Sequence, residues 1–162
     1  MVSVIIPAHN EEKTIGHVIK NVRSHPLVEE ILVVNDGSTD ETVATAKAAG
    51  ATAIYSLPVN QGKAAAMHYG VEHAKNDLIL FLDADITGLT HETVTELIGA
   101  VSDGGFGMAI ALRWRGIYWS NKILRIFPTV SGVRTLTKEL WRQLPHHLIK
   151  GFQIEIALNY YA

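Results

Sequence analysis

The feature that most constrains the fold is a regular alternation of short apolar runs with longer amphipathic segments through the first half of the chain. The apolar runs are VSVIIP, EILVVND, TAIYSLP and DLILFLD, and they are continuous in hydrophobicity instead of alternating. Strands buried on both faces have this pattern, because helices cover both sides of a parallel sheet. The sequence therefore predicts an α/β fold of Rossmann-like type, with a mostly parallel sheet and helices on both faces.

The segments between these runs are predicted to be helices that begin near Glu11, Asp40 and Gln61. A further helix follows the fourth run. Apolar residues recur at i, i+3, i+4 and i+7 in the first and last of these helices, at Ile15, Val18, Ile19 and Val22 and at Val94, Leu97, Ile98 and Val101. Ser38 and Glu41 have the spacing of a capping box, which predicts the start of the second helix.

The pattern is less regular after Gly104. GFGMAIALR is predicted to be a strand, IYWSNKILRIF a short amphipathic piece, and RTLTKELWRQLP a helix that ends at Pro145. FQIEIALNYYA is predicted to be a final helix with Ile154, Ala157, Leu158 and Tyr161 on one face. No linker-like stretch or repeat interrupts the 162 residues, so we expect one domain spanning 1–162. The sequence stops at Ala162, inside the predicted final helix, so we expect this domain to be truncated at its C-terminus.

Composition excludes several classes of function. The formal net charge is −2, so no global basic field attracts nucleic acid, and any phosphate binding must be local. The chain has no cysteine, which excludes disulfides and thiolate metal sites. No apolar run approaches the ~20 residues of a membrane span, and no signal-peptide pattern is present, so we expect a cytoplasmic protein.

Polar residues collect where the predicted strands end. The ends carry PAHNEE, NDGSTD, NQGK and DAD, the last containing Asp83 and Asp85. Ligands of open α/β sheets bind at this edge. Each group has a structural alternative, since Asn10 and Asp40 could be helix caps and Lys63 a solvated helix-start residue. Together, however, they predict a site that holds Mg²⁺ or Mn²⁺ through Asp85, with Asp83 as a second ligand.

Four motifs, VSVIIPAHNEE, ILVVNDGSTDET, NQGKAAAMHYG and LILFLDAD, in this order and spacing, resemble the nucleotide-sugar domain of the family 2 glycosyltransferases, which have the GT-A fold. The resemblance implies a nucleotide-sugar-binding half at 1–103 and an acceptor-side half at 104–162. It also implies that Pro7, His9, Glu11 and Asp36 surround the nucleoside, with Asp36 accepting from the base. Lys63 would lie beside the nucleotide, and Asp83 would bind the metal or contact the donor's ribose.

The second half resembles more weakly the polyprenyl-phosphate glycosyltransferases of the dolichyl-phosphate mannose synthase type. The relevant stretches are ALRWRG with Arg113, SGVRTLTKE with Arg134 and Lys138, and GFQIEIAL with Glu155. This resemblance implies that the three cations face phosphates of donor or acceptor. Glu155 is the late carboxylate nominated as a general base if the acceptor is a hydroxyl.

The function expected from these resemblances is metal-dependent, inverting transfer of a sugar from a UDP- or GDP-sugar to an acceptor. A polyprenyl phosphate is the expected acceptor, because the family's usual Glu-Asp acceptor pair does not follow Asp85. Such an acceptor implies peripheral contact with the inner face of a membrane. A soluble hydroxyl acceptor and a non-catalytic nucleotide-sugar binding module remain as alternatives. A nucleotidyltransferase is disfavoured, since PAHNEE has no glycine to let a backbone approach a triphosphate.

Overall fold

The computed structural model describes residues 1–111 and 132–145, together with residues 154, 158 and 159. The strands in these ranges are β1 (Val2–Ala8), β2 (Val28–Asp36), β3 (Ala53–Leu57), β4 (Leu78–Phe81), β5 (Met108–Ile110) and β6 (Arg134–Thr137). The helices are α1 (Ile15–Arg23), α2 (Thr42–Ala49), α3 (Lys63–His73), α4 (His91–Ser102) and α5 (Lys138–Gln143). None of these helices has the length and hydrophobicity needed to span a bilayer.

The six strands form one sheet in the order β3-β2-β1-β4-β6-β5. Strands β1 to β4 are parallel, whereas β6 is antiparallel to both of its neighbours, β4 and β5. The prediction of a mostly parallel α/β sheet is confirmed. Because the carboxyl ends of β1, β2 and β4 lie at the same edge, the polar segments that follow these strands are brought together there.

Two cores, one on each face of the sheet, hold the helices in place. Side chains of β1 alternate between them, with Val4 and Ile6 in one core and Ile5 in the other. All eight predicted core residues of α1 and α4 are buried. Burying a side chain of this kind contributes roughly 1.5–3 kcal/mol, so these stripes fix how the helices sit on the sheet.

Helix α3 packs closely on the sheet because it presents small residues to it. Ala64, Ala66 and Gly70 are buried, and a Cβ placed on Gly70 would be 2.5 Å from Cγ2 of Ile5 in β1. The small residues of KAAAMHYG therefore let α3 approach the sheet closely, which fixes the position of Lys63 at its first turn.

The prediction that RTLTKELWRQLP is one helix is wrong in its first part. Residues Arg134–Thr137 form β6, which pairs with β4 on one side and β5 on the other. Tertiary pairing of the β-branched threonines decides the strand. The helix begins at Lys138, where Thr137 Oγ1 accepts a hydrogen bond from the Leu140 amide at 3.2 Å.

The predicted capping box between Ser38 and Glu41 does not form. Helix α2 begins at Thr42, and the carboxylate of Asp40 accepts from the Thr42 amide at 3.1 Å. The Ser38 hydroxyl instead accepts from the amide of Asn10, at 2.9 Å. Desolvation raises the pKa of Asp40, but hydrogen bonds from Thr42 and Glu12 outweigh it and leave the pKa below its usual range.

Part of the predicted final helix lies in the described residues. Ile154 and Leu158 are helical and fully buried in the core that contains α3 and α5. Ala157 and Tyr161, which complete the predicted face, lie outside the described residues, as does IYWSNKILRIF.

Candidate functional site

The loops that follow β1 and β2 are joined to each other by reciprocal hydrogen bonds. Asn10 is central to this contact, because its backbone amide donates to Ser38 Oγ and its side-chain Oδ1 accepts from the backbone amide of Thr39 at 2.8 Å. Glu12 Oε2 accepts from the Glu41 amide at 3.1 Å. Asn10 has a left-handed backbone conformation, with φ of 56°, which asparagine tolerates well. The loops that follow β1 and β2 therefore form one connected rim, and the hydrogen bonds of Asn10 hold the two loops together.

Three of the residues predicted to surround a nucleoside lie in or beside this rim. Pro7 is half-buried in β1. His9 Nδ1 lies 2.7 Å from the carbonyl oxygen of Asp36 and must donate to it, and His9 Nε2 lies 3.3 Å from the side-chain nitrogen of Asn10. Glu11 Oε2 accepts from Thr14 Oγ1 at 2.6 Å, so its carboxylate stabilises the entry into α1.

Asp36, the fourth of these residues, connects the end of β2 to the start of α3. Its side chain is buried, and its two carboxylate oxygens accept from the amides of Gln61 and Gly62 at 2.7 and 2.8 Å. Gly37 allows this approach, because it has a φ of 69° and a Cβ there would lie 2.7 Å from the Asn60 amide nitrogen. Asp36 thus holds the loop that delivers Lys63.

Lys63 pairs with Asp83 across the edge of the sheet. Its Nζ lies 2.6 Å from Asp83 Oδ1, and both side chains are 31% exposed. The ammonium therefore compensates the charge of the aspartate that ends the buried β4 segment. Two of the predicted polar groups, twenty residues apart in sequence, are thereby brought together.

Gly132 is a site residue that the sequence analysis missed. A Cβ on Gly132 would overlap the carboxylate of Asp83. Gly132 lies just before β6, where Arg134 pairs with Phe81 of β4, so Gly132 reaches the same strand end as Asp83. The only signal in the sequence was the glycine itself, and one glycine does not tell what approaches it.

The predicted acceptor-side residues separate into two positions. Arg134 is buried, at 1% exposure, at the edge of the sheet that carries Asp83. Lys138 is also buried, but it lies at the opposite edge, where its Nζ donates to the carbonyl oxygen of Ala74. The structure therefore does not bring Lys138 together with Arg134 and Asp83. Arg113 and Glu155 lie outside the described residues.

Asp85 follows Asp83 in the turn after β4 and is exposed. No group of three or more histidine or carboxylate side chains able to hold a metal occurs within residues 1–111 and 132–145. Mg²⁺ and Mn²⁺ need fewer protein ligands than that, since they keep several waters and bind phosphate oxygens of a substrate. The oxygen donors of Asp83 and Asp85, beside an accessible edge of the sheet, fit such an ion.

The chain is similar to curated relatives and to solved structures. Over 100 residues the chain is 41% identical to the 4,4'-diaponeurosporenoate glycosyltransferase of Staphylococcus aureus, a match that covers 59% of this chain and 27% of the relative. The glucosyl-3-phosphoglycerate synthase of Mycobacterium tuberculosis superposes with a TM-score of 0.81 at 29% identity, covering 98% of this chain and 64% of that one. A structure of that synthase in complex with Mn²⁺, UDP-glucose and glycerol 3-phosphate gives the same TM-score at 28% identity.

The chain spans about a quarter of the length of the curated relative and less than two-thirds of the solved ones. Residues 3–149 match the sequence profile described as Glycosyl transferase family 2. This match includes every described residue of the site, from Pro7 to Arg134. The chain therefore belongs to glycosyl transferase family 2 and has the GT-A fold.

Proposed function

We propose that this chain forms the catalytic domain of a metal-dependent, inverting glycosyltransferase that moves a sugar from a nucleoside-diphosphate sugar to an acidic acceptor. The observation that carries the proposal is the convergence of Asp36, Lys63 and Asp83 at one edge of the sheet. The family match and the neighbour named in complex with Mn²⁺ and UDP-glucose support the donor class.

On this proposal the nucleoside lies against the rim formed by the β1 and β2 loops. Each Asp36 oxygen accepts one backbone N–H and keeps a lone pair, so the carboxylate can also accept from a base. His9, whose Nε2 contacts the side chain of Asn10, lies at the exposed side of the rim. Pro7, in β1, and Glu11, at the entry into α1, complete the proposed nucleoside site.

Asp83 and Asp85 would hold Mg²⁺ or Mn²⁺, with Mn²⁺ named in the structural neighbour. The bound ion would supply Lewis-acid stabilisation of the charge that develops on the leaving diphosphate. Lys63 adds a second positive charge next to Asp83. Charges held in place before the reaction are the usual source of large transition-state stabilisation.

The acceptor is proposed to be an anion. Arg134 would face it, together with Arg113, which lies outside the described residues. Both relatives are named for acids, diaponeurosporenoate and phosphoglycerate. A polyprenyl phosphate, as the second-half resemblance implies, belongs to the same class and would bring the protein to the cytoplasmic face of a membrane. A phosphate or carboxylate oxygen that itself attacks the sugar needs no general base. A hydroxyl that attacks, including the hydroxyl of an acidic acceptor such as phosphoglycerate, would need one, such as Glu155.

Transfer of label from radiolabelled UDP-glucose and from a GDP-sugar tests this proposal, with Mn²⁺ and three acceptors: a short polyprenyl phosphate, 3-phosphoglycerate and glycerol. We expect metal-dependent transfer to at least one of the two acids and little to glycerol. Transfer to glycerol that Glu155→Gln abolishes would establish the hydroxyl alternative. Tight nucleotide binding without transfer or hydrolysis would indicate a non-catalytic module.

A further inference from the structure

We propose that Lys63 acts as an internal cation that occupies Asp83 when no nucleotide is bound, and thereby makes binding of a divalent ion depend on the nucleotide. This inference rests on the proposed function, because it concerns the carboxylates proposed to hold the metal. It adds a role for Lys63, whose ammonium would determine when the Asp83 carboxylate can bind a divalent ion.

The first support is the contact itself. Lys63 Nζ lies 2.6 Å from Asp83 Oδ1, which is short even for a charge-assisted hydrogen bond. Both side chains are about one-third exposed, so the pair is less screened by water than a pair on the open surface. An ion that uses this oxygen must displace the ammonium or share the oxygen with it.

The second support is that Asp83 has little freedom to turn away. Its carboxylate lies against Gly132, where even a methyl group would overlap it. Backbone from the second half of the chain therefore closes one side of this carboxylate. A divalent ion has to approach the carboxylate from another side, and Lys63 already contacts Oδ1.

The third support is the way in which the backbone of Lys63 is held. It is the first residue of α3, and the two preceding amides are held by the buried carboxylate of Asp36. The backbone of Lys63 is thus anchored, while its four-carbon side chain can swing. A change of partner for the ammonium needs only side-chain rotation.

These three observations give a competition with a defined direction. An ammonium and a divalent cation on one carboxylate repel each other, so Lys63 weakens metal binding to the nucleotide-free protein. A diphosphate offers the ammonium new anionic partners and releases Asp83 to the ion. Because binding couplings are reciprocal, metal must also raise nucleotide affinity, and by the same factor.

The experiment measures Mn²⁺ affinity by electron paramagnetic resonance of the free ion, with and without UDP, so it needs no acceptor and no turnover. The variants are Lys63→Met and Lys63→Gln, which remove the charge, and Lys63→Arg, which keeps it. Lys47→Met is the matched control, since Lys47 is exposed near the C-terminal end of α2 and away from the site. Circular dichroism checks that each variant is folded.

Without UDP, we expect Lys63→Met and Lys63→Gln to bind Mn²⁺ about fivefold or more tightly than the unchanged protein. The gain in Mn²⁺ affinity on adding UDP should shrink in both variants. Lys63→Arg and Lys47→Met should behave like the unchanged protein. The same Mn²⁺ affinity with and without the Lys63 charge, while UDP still raises it, would overturn the inference and leave the proposed function standing. Failure of every variant to bind Mn²⁺ even with UDP would overturn both.

Discussion

The carboxylate of Asp83 lies directly against the α-carbon of Gly132, with no room between them for a side chain. This contact joins the end of β4 to the start of β6, and so joins the proposed donor side of the site to the proposed acceptor side. The position of Asp83 therefore depends on a glycine 49 residues away in sequence.

Gly132→Ala is expected to displace Asp83 and to weaken metal-dependent nucleotide binding. Forcing a methyl group into this contact should also cost about 1–3 kcal/mol of the free energy of unfolding. Gly99→Ala is the control, because Gly99 is in the interior of α4 and its added methyl group would meet nothing within 4 Å. Urea unfolding and UDP titration with Mn²⁺ measure both effects. Unchanged UDP affinity in Gly132→Ala would contradict the importance of the contact.

Asp36→Ala should weaken nucleotide binding and also destabilise the fold. The structure adds the second effect, because the Gln61 and Gly62 amides lose their acceptor and the start of α3 loses its anchor. Loss of hydrogen bonds to a buried carboxylate costs roughly 1.5–3 kcal/mol, which corresponds to at least a tenfold change in an equilibrium. Calorimetric UDP titration and urea unfolding of the same variant test the two effects. Asp103→Ala, on the exposed end of α4, should change neither.

Asp85→Ala is expected to abolish the metal-dependent part of nucleotide binding with almost no effect on stability. Asp85 is exposed, so its removal leaves no buried group without a partner. The check is UDP affinity in the presence of Mn²⁺ and again with a chelator, for the variant and the unchanged protein. Equal affinity with and without chelator in the unchanged protein would rule out a metal role for Asp85.

Stability should fall as the pH decreases below about 6.5, the ordinary pKa of histidine. Burial, and secondly the neighbouring His91, lower the pKa of His25, whose Nε2 lies 3.0 Å from Thr95 Oγ1. Below pH 6.5 the unfolded chain therefore binds protons that the folded His25 resists, and the free energy of unfolding decreases until the pH passes the lowered pKa. Urea unfolding at pH 7.5 and 5.5 should show a smaller difference in His25→Gln than in the control His17→Gln.

Lys138→Met should lower stability without changing sugar transfer or UDP affinity. Its ammonium is buried and donates to the Ala74 carbonyl oxygen, so the variant leaves that carbonyl without this donor. The expected loss is about 1–3 kcal/mol in the free energy of unfolding. A large loss of UDP affinity in a variant that remains folded would show that Lys138 acts in the site after all.

The sequence by itself determined the parallel part of the sheet and the edge at which the site lies. A strand with a continuous apolar run such as Ile31–Val34 has to be buried on both of its faces. Helices therefore have to cover both sides of the sheet. The residues that follow such runs then meet at one edge, as Asp36 and Asp83 do. These relationships depend on local pattern and general chain topology, and both are readable from the order of the residues.

The tertiary structure decided which of these polar groups touch and at which edge of the sheet Arg134 and Lys138 lie. The pairing of Lys63 with Asp83 depends on how closely α3 packs on β1, and the enclosure of Asp83 depends on where Gly132 arrives. Arg134 and Lys138 are four residues apart in a motif that suggested a shared role. Because β6 runs antiparallel to β4 and rises about 3.3 Å per residue, it leaves Arg134 at the site edge and carries Lys138 about 13 Å away, to the opposite one.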